Sequence, residues 1–252
     1  MHVIYQPQVD APCEDSRSTR VTTIEGDEAR HAVRVKRLEV GDGVLVLNGR
    51  GLEMSATVAG VRKERGRGDG DWVMDLRVDA ARVVPRTRPS LRVFSGVPKG
   101  DRLEQMVDGL SQVGTAAWCP LMSGRSIVDR GEGKIDRLRR VCEESLKQCG
   151  RAWLMEVAER VVYCDAILAA GGGGGEVVIA DASGGEYHPG GADSVALFVG
   201  PEGGFTPEEV EQARAAGARV CSFGVHTMRV EVAAVVGAAA VMGASIRSRG
   251  HR

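Results

Sequence analysis

A chain of 252 residues, 43% of them hydrophobic, can bury the core of one large domain or two ordinary ones, which sets aside a disordered or fibrous protein. Lys and Arg total 33 against 34 Asp and Glu, a net charge of −1, so contact with nucleic acid has to come from a local basic patch, and 4% aromatics argue against a stacking platform for single strands. The six cysteines form no Cys-x-x-Cys pair and no Cys/His set has zinc spacing, so no metal is expected and the thiols read as buried and reduced in a cytoplasmic protein. The first residues, MHVIYQPQVD, lack the pattern of a signal peptide, and no apolar run approaches about 18 residues, so no membrane partner is expected.

Residues 1–84 read as a small β-rich domain, a barrel by its run of short strands. Segments 44–47 and 52–61 flank Asn48-Gly49-Arg50-Gly51, a strong hairpin signal, and 72–84 alternates as a further strand. A short helix is expected near 27–33 and a polar loop over 62–71. Pro85 and Pro89 mark a linker, and from Leu91 the character changes. Strands are expected at 91–95, 116–120, 177–181, 195–199 and 219–223. Helices are expected at 101–113, 132–148, 207–216 and 231–245. The last three strands are continuous apolar runs, as in strands covered on both faces. The alternation predicts an α/β domain over 85–252 with a mainly parallel sheet. The glycines at 171–175 read as a surface loop and, with no Lys or Thr following, not as a phosphate loop.

Two loops stand out. Gly200-Pro201-Glu202-Gly203-Gly204-Phe205 follows the buried strand that ends at Val199. Thr206, Pro207 and Glu209 then supply an N-cap, a first-turn proline and a capping box. A glycine-rich turn at the carboxyl end of a sheet strand is where open α/β sheets bind ligands, and glycine lets the backbone approach closely. A tight connection needing positive φ is the other reading of the same turn. The second loop, Phe223-Gly224-Val225-His226-Thr227-Met228-Arg229-Val230-Glu231, also follows a buried strand and opens a helix rich in Ala, Gly and Val. Glu231 at that helix start suits the macrodipole by itself. Three shorter segments follow strands or end helices: Pro98 to Glu104, Ser123-Gly124-Arg125-Ser126, and Gln148-Cys149-Gly150-Arg151. A basic stripe runs through Arg82, Arg86, Arg88, Arg92, Lys99 and Arg102, of the kind phosphate contacts need, and a solvated charged linker is its alternative. His31, Arg34, Lys36 and Arg37 gather in the first domain.

These segments, in this order, resemble the RsmE family of SPOUT-class methyltransferases, which methylate uridine on the ring nitrogen between its two carbonyls in 16S ribosomal RNA. The resemblance spans nearly the whole chain. His31 to Asp42 with 48–51 looks like the family's PUA-like RNA-binding domain. Ser123 to Ser126 is similar to its Ser-Glu-Arg segment, and Glu144 to Arg151 to its Glu-Gln-x-x-Arg helix end. GPEGGF with TPEE matches its GPEGG motif, and 223–234 resembles Leu-Gly-x-x-Ile-Leu-Arg-x-Glu-Thr-Ala. Val232 stands where the family has Thr, Gly124 where it has Glu, and Lys36 where it has Leu.

The resemblance implies an α/β domain with a deep trefoil knot, a homodimer with its active site at the subunit interface, and ribosomal RNA of the small subunit as substrate. It implies S-adenosyl-L-methionine (SAM) bound by Val199, Gly200, Pro201, Glu202, Gly203, Phe223, Gly224, Val225, Thr227, Met228 and Arg229, largely through their backbone. It implies RNA held by His31, Arg34, Lys36, Arg37, Arg86, Arg88, Lys99 and Arg102. Removing the imide proton asks for positioning and a cation near the carbonyl oxygens. Arg125 of a partner subunit, or Arg151, is expected near the base or its phosphate; Glu231 is expected to orient Arg229 or accept the proton, and Glu202 to brace the knot. The rival readings are a related methyltransferase of another RNA, such as tRNA, and a ribosome-binding factor that keeps the fold without catalysis. A nucleotide-binding enzyme of another type is disfavoured, because no strand-linked G-x-G-x-x-G or Walker loop occurs.

Overall fold

A computed structural model describes residues 1–10, 21–64, 71–126 and 135–249. Cys13, most of the expected 62–71 loop and the first residues of the expected 132–148 helix lie outside them. The chain divides into two compact units: Met1–Arg86 with Leu146–Leu154, and Thr87–Ser145 with Met155–Arg252. The segment 146–154, which carries Arg151, was read from the sequence as part of the second domain and is packed in the first unit.

The first unit is a five-stranded sheet in the order β1-β3-β4-β5-β2: β1 (His2–Tyr5), β2 (Val21–Glu25), β3 (Gly43–Leu47), β4 (Leu52–Glu64) and β5 (Asp71–Val83). β1 lies parallel to β3 and the other pairs are antiparallel. Period-two alternation turns Leu52, Met54, Ala56 and Val58 of β4 inward, where they meet Ile4, Ile24, Val46, Met74 and Leu76. The Asn-Gly hairpin forms as expected. Asn48 Oδ1 accepts the N–H groups of Arg50 (2.8 Å) and Leu52 (3.0 Å), and Gly49 and Gly51 take positive φ. Gly51 is required a second time: a Cβ there would lie 2.5 Å from the ring of Trp153. The expected helix near 27–33 is α1 (Gly26–Arg30) followed by one π-helical turn, His31–Val35.

The second unit is built on a seven-stranded sheet, every pair parallel. Along β12-β10-β11-β6-β7-β8 its strands are Arg219–Ser222, Glu176–Glu186, Ser194–Val199, Ser90–Ser95, Ala117–Met122 and Glu156–Val157; β9 (Val161–Val162) also pairs with β7. Helices cover it: α2 (Arg102–Gln112), α3 (Ile135–Cys149), α4 (Tyr163–Gly172), α5 (Pro207–Ala215) and α6 (Val230–Arg249). α2 buries Leu103, Met106, Val107 and Leu110 at helical spacing. Small residues let α6 come close: a Cβ on Gly237 would lie 3.1 Å from Leu197, and one on Gly109 of α2 would lie 2.9 Å from Val235. α4, α5 and strands β6, β7, β10 and β11 enclose a second core around Phe94, Tyr163, Phe198 and Phe205, with Phe94 and Phe198 stacked at 4.5 Å.

The glycine run 171–175 is not wholly a loop. Gly171 and Gly172 complete α4, and a Cβ on Gly171 would sit 2.5 Å from the carbonyl oxygen of Ala216, so glycine serves close packing there.

Candidate cofactor cleft and active site

The carboxyl ends of β11 and β12 and the middle of β10 open into one cleft. Its walls are Ala180 to Ala182, Val199 to Glu202 with Gly204, and Ser222 to Gly224 with His226 to Met228, Val230 and Ala233. Eight of the expected cofactor residues meet there: Val199, Gly200, Pro201, Glu202, Phe223, Gly224, Thr227 and Met228. Gly203, Val225 and Arg229 do not line it, and Val225 is 93% exposed. The sequence reading missed the wall contributed by Ala180, Asp181 and Ala182. The signal was available, because 177–181 was a third buried strand of the same kind.

The glycine loop is shaped by its neighbours. Gly96, after β6, admits Pro201 so closely that a Cβ would stand 2.7 Å from its Cα, and Gly96 N–H donates to the Val199 carbonyl (3.1 Å). Gly204 N–H closes a turn onto the Pro201 carbonyl (2.8 Å). Phe205 then leaves the cleft for the core, 5.1 Å from the ring of Tyr163. Thr206 caps α5 with both bonds of the capping box: Thr206 Oγ1 accepts from Glu209 N–H (3.2 Å) and Glu209 Oε2 accepts from Thr206 N–H (2.8 Å).

The segment Ser123 to Ser126 locks onto this loop from outside. Glu209 Oε1 accepts the Gly124 N–H at 2.7 Å. Arg125 Nη1 donates to the carbonyls of Gly203 (2.7 Å) and Phe205 (3.3 Å) of its own chain. Tyr163 O–H donates to the Glu209 carbonyl (2.6 Å), and burial raises its phenol well above the ordinary value. Within its own chain Arg125 is thus a cation between two loop carbonyls, where it neutralises their partial charges and holds the turn.

Glu231, expected to orient Arg229 or accept the proton, has a cation of α2 beside it. Glu231, at the start of α6, faces Arg102 of α2 (3.6 Å), while its Oε2 is buried with no hydrogen-bond partner. Arg229 is exposed. The basic stripe is largely spoken for. Within the first unit Arg82 pairs with Glu53 (2.5 Å), and Arg86 stacks on Trp153 with its guanidinium 3.9 Å from the ring centroid. Within the second, Arg88 pairs with Asp193 (2.6 Å) and Arg102 with Glu231. Lys99 is exposed and pairs with no described residue. Around the π-turn of the first unit, Arg34, Lys36 and Arg37 are exposed without an ion pair among the described residues, and His31 is half-buried with its ring 6.3 Å from that of His2. Among the described residues no group of His, Cys, Asp and Glu could hold a metal ion, and no helix is long and apolar enough to cross a membrane.

An all-parallel α/β sheet with a glycine-walled cleft over β10, β11 and β12 defines the class: a small-ligand-binding α/β domain. The comparisons sharpen it. The RNA methyltransferase domain matches residues 86–242 and the RNA methyltransferase PUA domain matches residues 24–66. The chain belongs to the RNA methyltransferase family. It is similar to the ribosomal RNA small subunit methyltransferase E of Mycobacterium bovis, 27% identical over 238 residues that cover 88% of this chain and 86% of the relative. Its likeness to that of Bacillus subtilis is 24% over 233 residues, covering 87% and 88%. Among solved structures, a putative methyltransferase from Legionella pneumophila in complex with SAM superposes with a TM-score of 0.77 at 23% identity, covering 96% and 97%. The ribosomal RNA small subunit methyltransferase E from Neisseria gonorrhoeae, bound to S-adenosyl methionine, gives 0.76 at 21%, covering 96% and 97%. The relatives thus carry the name of the group that the motifs resemble.

Proposed function

We propose that the protein is a SAM-dependent methyltransferase that modifies N3 of a uridine in small-subunit ribosomal RNA, acting in the cytoplasm as a homodimer. The observation that carries this is the cleft over β10, β11 and β12, walled by GPEGG and by 223–228, in a chain of the RNA methyltransferase family. The residues fit the group. Val199, Pro201, Phe223, Met228 and Val230 offer apolar walls for a purine, and backbone from Gly200 to Gly204 and from Phe223 to Met228 lies outside helix and strand, where its polar groups can read the ring edge. Bound there, SAM supplies an electrophilic methyl group.

The protein's own residues do the rest. Arg125 and Glu209 keep the glycine loop in one shape, so its backbone groups need no reorganisation on binding. We assign Arg229, exposed itself but in sequence between the cleft-lining Met228 and Val230, the role of meeting the negative charge that develops on the uracil carbonyls as the N3 proton leaves. Glu231, braced by Arg102, offers its unpartnered Oε2 as proton acceptor. His31, Arg34, Lys36, Arg37, Arg86 and Arg151 of the first unit and Lys99 of the second hold RNA phosphates. An exposed apolar strip on α6, Val232 at 46%, Val236 at 37% and Ile246 at 65%, supports a second copy as partner. The knot is supported by the path of the chain, which leaves β11, returns through α5 to β12 on the far side of β10, and brings both loops to one cleft.

Mapping modified uridines in small-subunit RNA from cells with and without the gene tests the proposal. One N3-methyluridine should vanish with the gene and return with it. An unchanged small-subunit profile with a lost methyl group in tRNA would move the activity to another RNA, and no change in any RNA would refute it.

A further inference from the structure

The third wall of the cleft carries a fixed charge of its own. β10 pairs with β12 up to Ala180↔Cys221 and resumes at Gly185↔Cys221, so residues 181–184 bulge out of the ladder against a single partner. Bulges of this kind re-aim side chains beside functional sites. Gly184 makes the bulge possible, because a Cβ there would stand 2.5 Å from the backbone of Val220 and Cys221. The bulge brings Asp181 and Ala182 to the cleft wall. Asp181 is half-buried and its Oδ1 is fixed by Ser183, which donates from both its N–H (2.9 Å) and its Oγ–H (2.6 Å). Oδ2 accepts no hydrogen bond from a described residue. Asp181 and Glu202 are the carboxylates of the lining, and no Lys or Arg stands among its residues. Glu202 is exposed at the loop tip, so Asp181 is the carboxylate held in place.

This acidity matches a difference between substrate and product. SAM carries a sulfonium, an ammonium and a carboxylate, a net charge of +1. S-adenosylhomocysteine, left after methyl transfer, has lost the sulfonium charge and is neutral overall. A fixed carboxylate favours the first over the second by Coulomb attraction, and hydrogen bonds to the parts common to both ligands do not. We infer that Asp181 sets the preference of the cleft for the charged methyl donor over its neutral by-product. The inference rests on the assignment of this cleft to SAM.

Isothermal titration calorimetry of the full chain with SAM and with S-adenosylhomocysteine tests it. Asp181→Asn keeps an Oδ1 acceptor for both Ser183 bonds and removes only the charge. The ratio of the two dissociation constants should move roughly fivefold toward the by-product, the size expected for a partly screened charge pair. A ratio that stays the same overturns the inference, whether both constants shift together, as a purely structural turn would make them, or neither moves. Should Asp181→Asn fail to fold, the wild type decides: salt raised from about 50 to about 500 mM should weaken SAM relative to the by-product, and parallel salt curves overturn the inference. A wild-type protein that binds neither ligand refutes the cofactor assignment itself, whereas binding with an unmoved ratio refutes the role of Asp181 alone.

Discussion

Glu209→Gln probes how far the cofactor loop is shaped from outside itself. In the wild type one carboxylate serves two backbone donors, Gly124 N–H at 2.7 Å and Thr206 N–H at 2.8 Å. The amide keeps one acceptor and turns its NH₂ toward the other donor, so one of the two bonds is replaced by a donor facing a donor. A hydrogen bond to a charged group contributes about 1.5–3 kcal/mol, and a negative charge in the first turn of a helix about 0.3–1 kcal/mol. Since Glu209 is only half-buried, the lower ends apply and the loss is about 2 kcal/mol. For a chain of this size that lowers Tm by roughly 4–8 °C. SAM affinity should fall with it, because the Gly203 and Phe205 carbonyls keep Arg125 only while the 123–126 segment stays clipped to α5. Thermal unfolding by circular dichroism and a SAM titration read both effects. Glu208→Gln is the control: this exposed carboxyl, held below the ordinary value chiefly by its own backbone N–H and then by Thr206, feels the 123–126 segment only through the charge of Arg125. A Glu209→Gln protein that melts with the wild type and binds SAM equally would show that the loop holds its shape without the clip.

Other substitutions address the remaining parts. Gly184→Ala forces a methyl group into the backbone of Val220 and Cys221 and should destabilise the second unit by about 1–3 kcal/mol, measured by urea unfolding; an unchanged midpoint would contradict the close approach. His2 has its pKa lowered from the ordinary 6.5, first by burial and then by Lys36 and His31. The folded unit therefore keeps His2 neutral where the unfolded chain binds a proton, so stability should fall as pH drops below about 6.5 and level off once the folded His2 also protonates. His2→Gln should flatten that part of the profile, and a profile identical to wild type would remove His2 as its cause. Replacing Arg34, Lys36 and Arg37 together with Ala should weaken RNA binding and reduce the slope of log K against log salt by about 2–3, one phosphate contact for each cation. An unchanged slope would take the π-turn out of the RNA interface.

Several features were open to a reading of the residues in order. The hairpin at 48–51, the buried strands that became β6, β10, β11 and β12, and the capping box at Thr206 all depend on neighbours within a few positions, and all are present. Eight cofactor-loop residues gather at one cleft because a buried strand followed by glycine and a helix cap has few other local solutions. The short strands β1 and β2 escaped, since four or five residues carry little periodicity and their pairing partners are distant.

What the order of residues could not contain is which charges find each other. Arg102 read as a phosphate contact and faces Glu231; Glu231 read as a partner of Arg229 and faces Arg102. Gly124 and Glu209 are 85 positions apart, and nothing near either residue announces the bond. The same holds for Trp153, which packs on the turn at Gly51, and for the bulge that brings Asp181 to the cleft. Local sequence determined the strands, the caps and the glycine turns, because backbone sterics and side-chain period act over a few residues. The wall of the cleft, the clamp on its loop and the fate of each arginine were decided by tertiary structure, because a charge or hydrogen bond is satisfied by whatever the folded chain brings within about 3–4 Å.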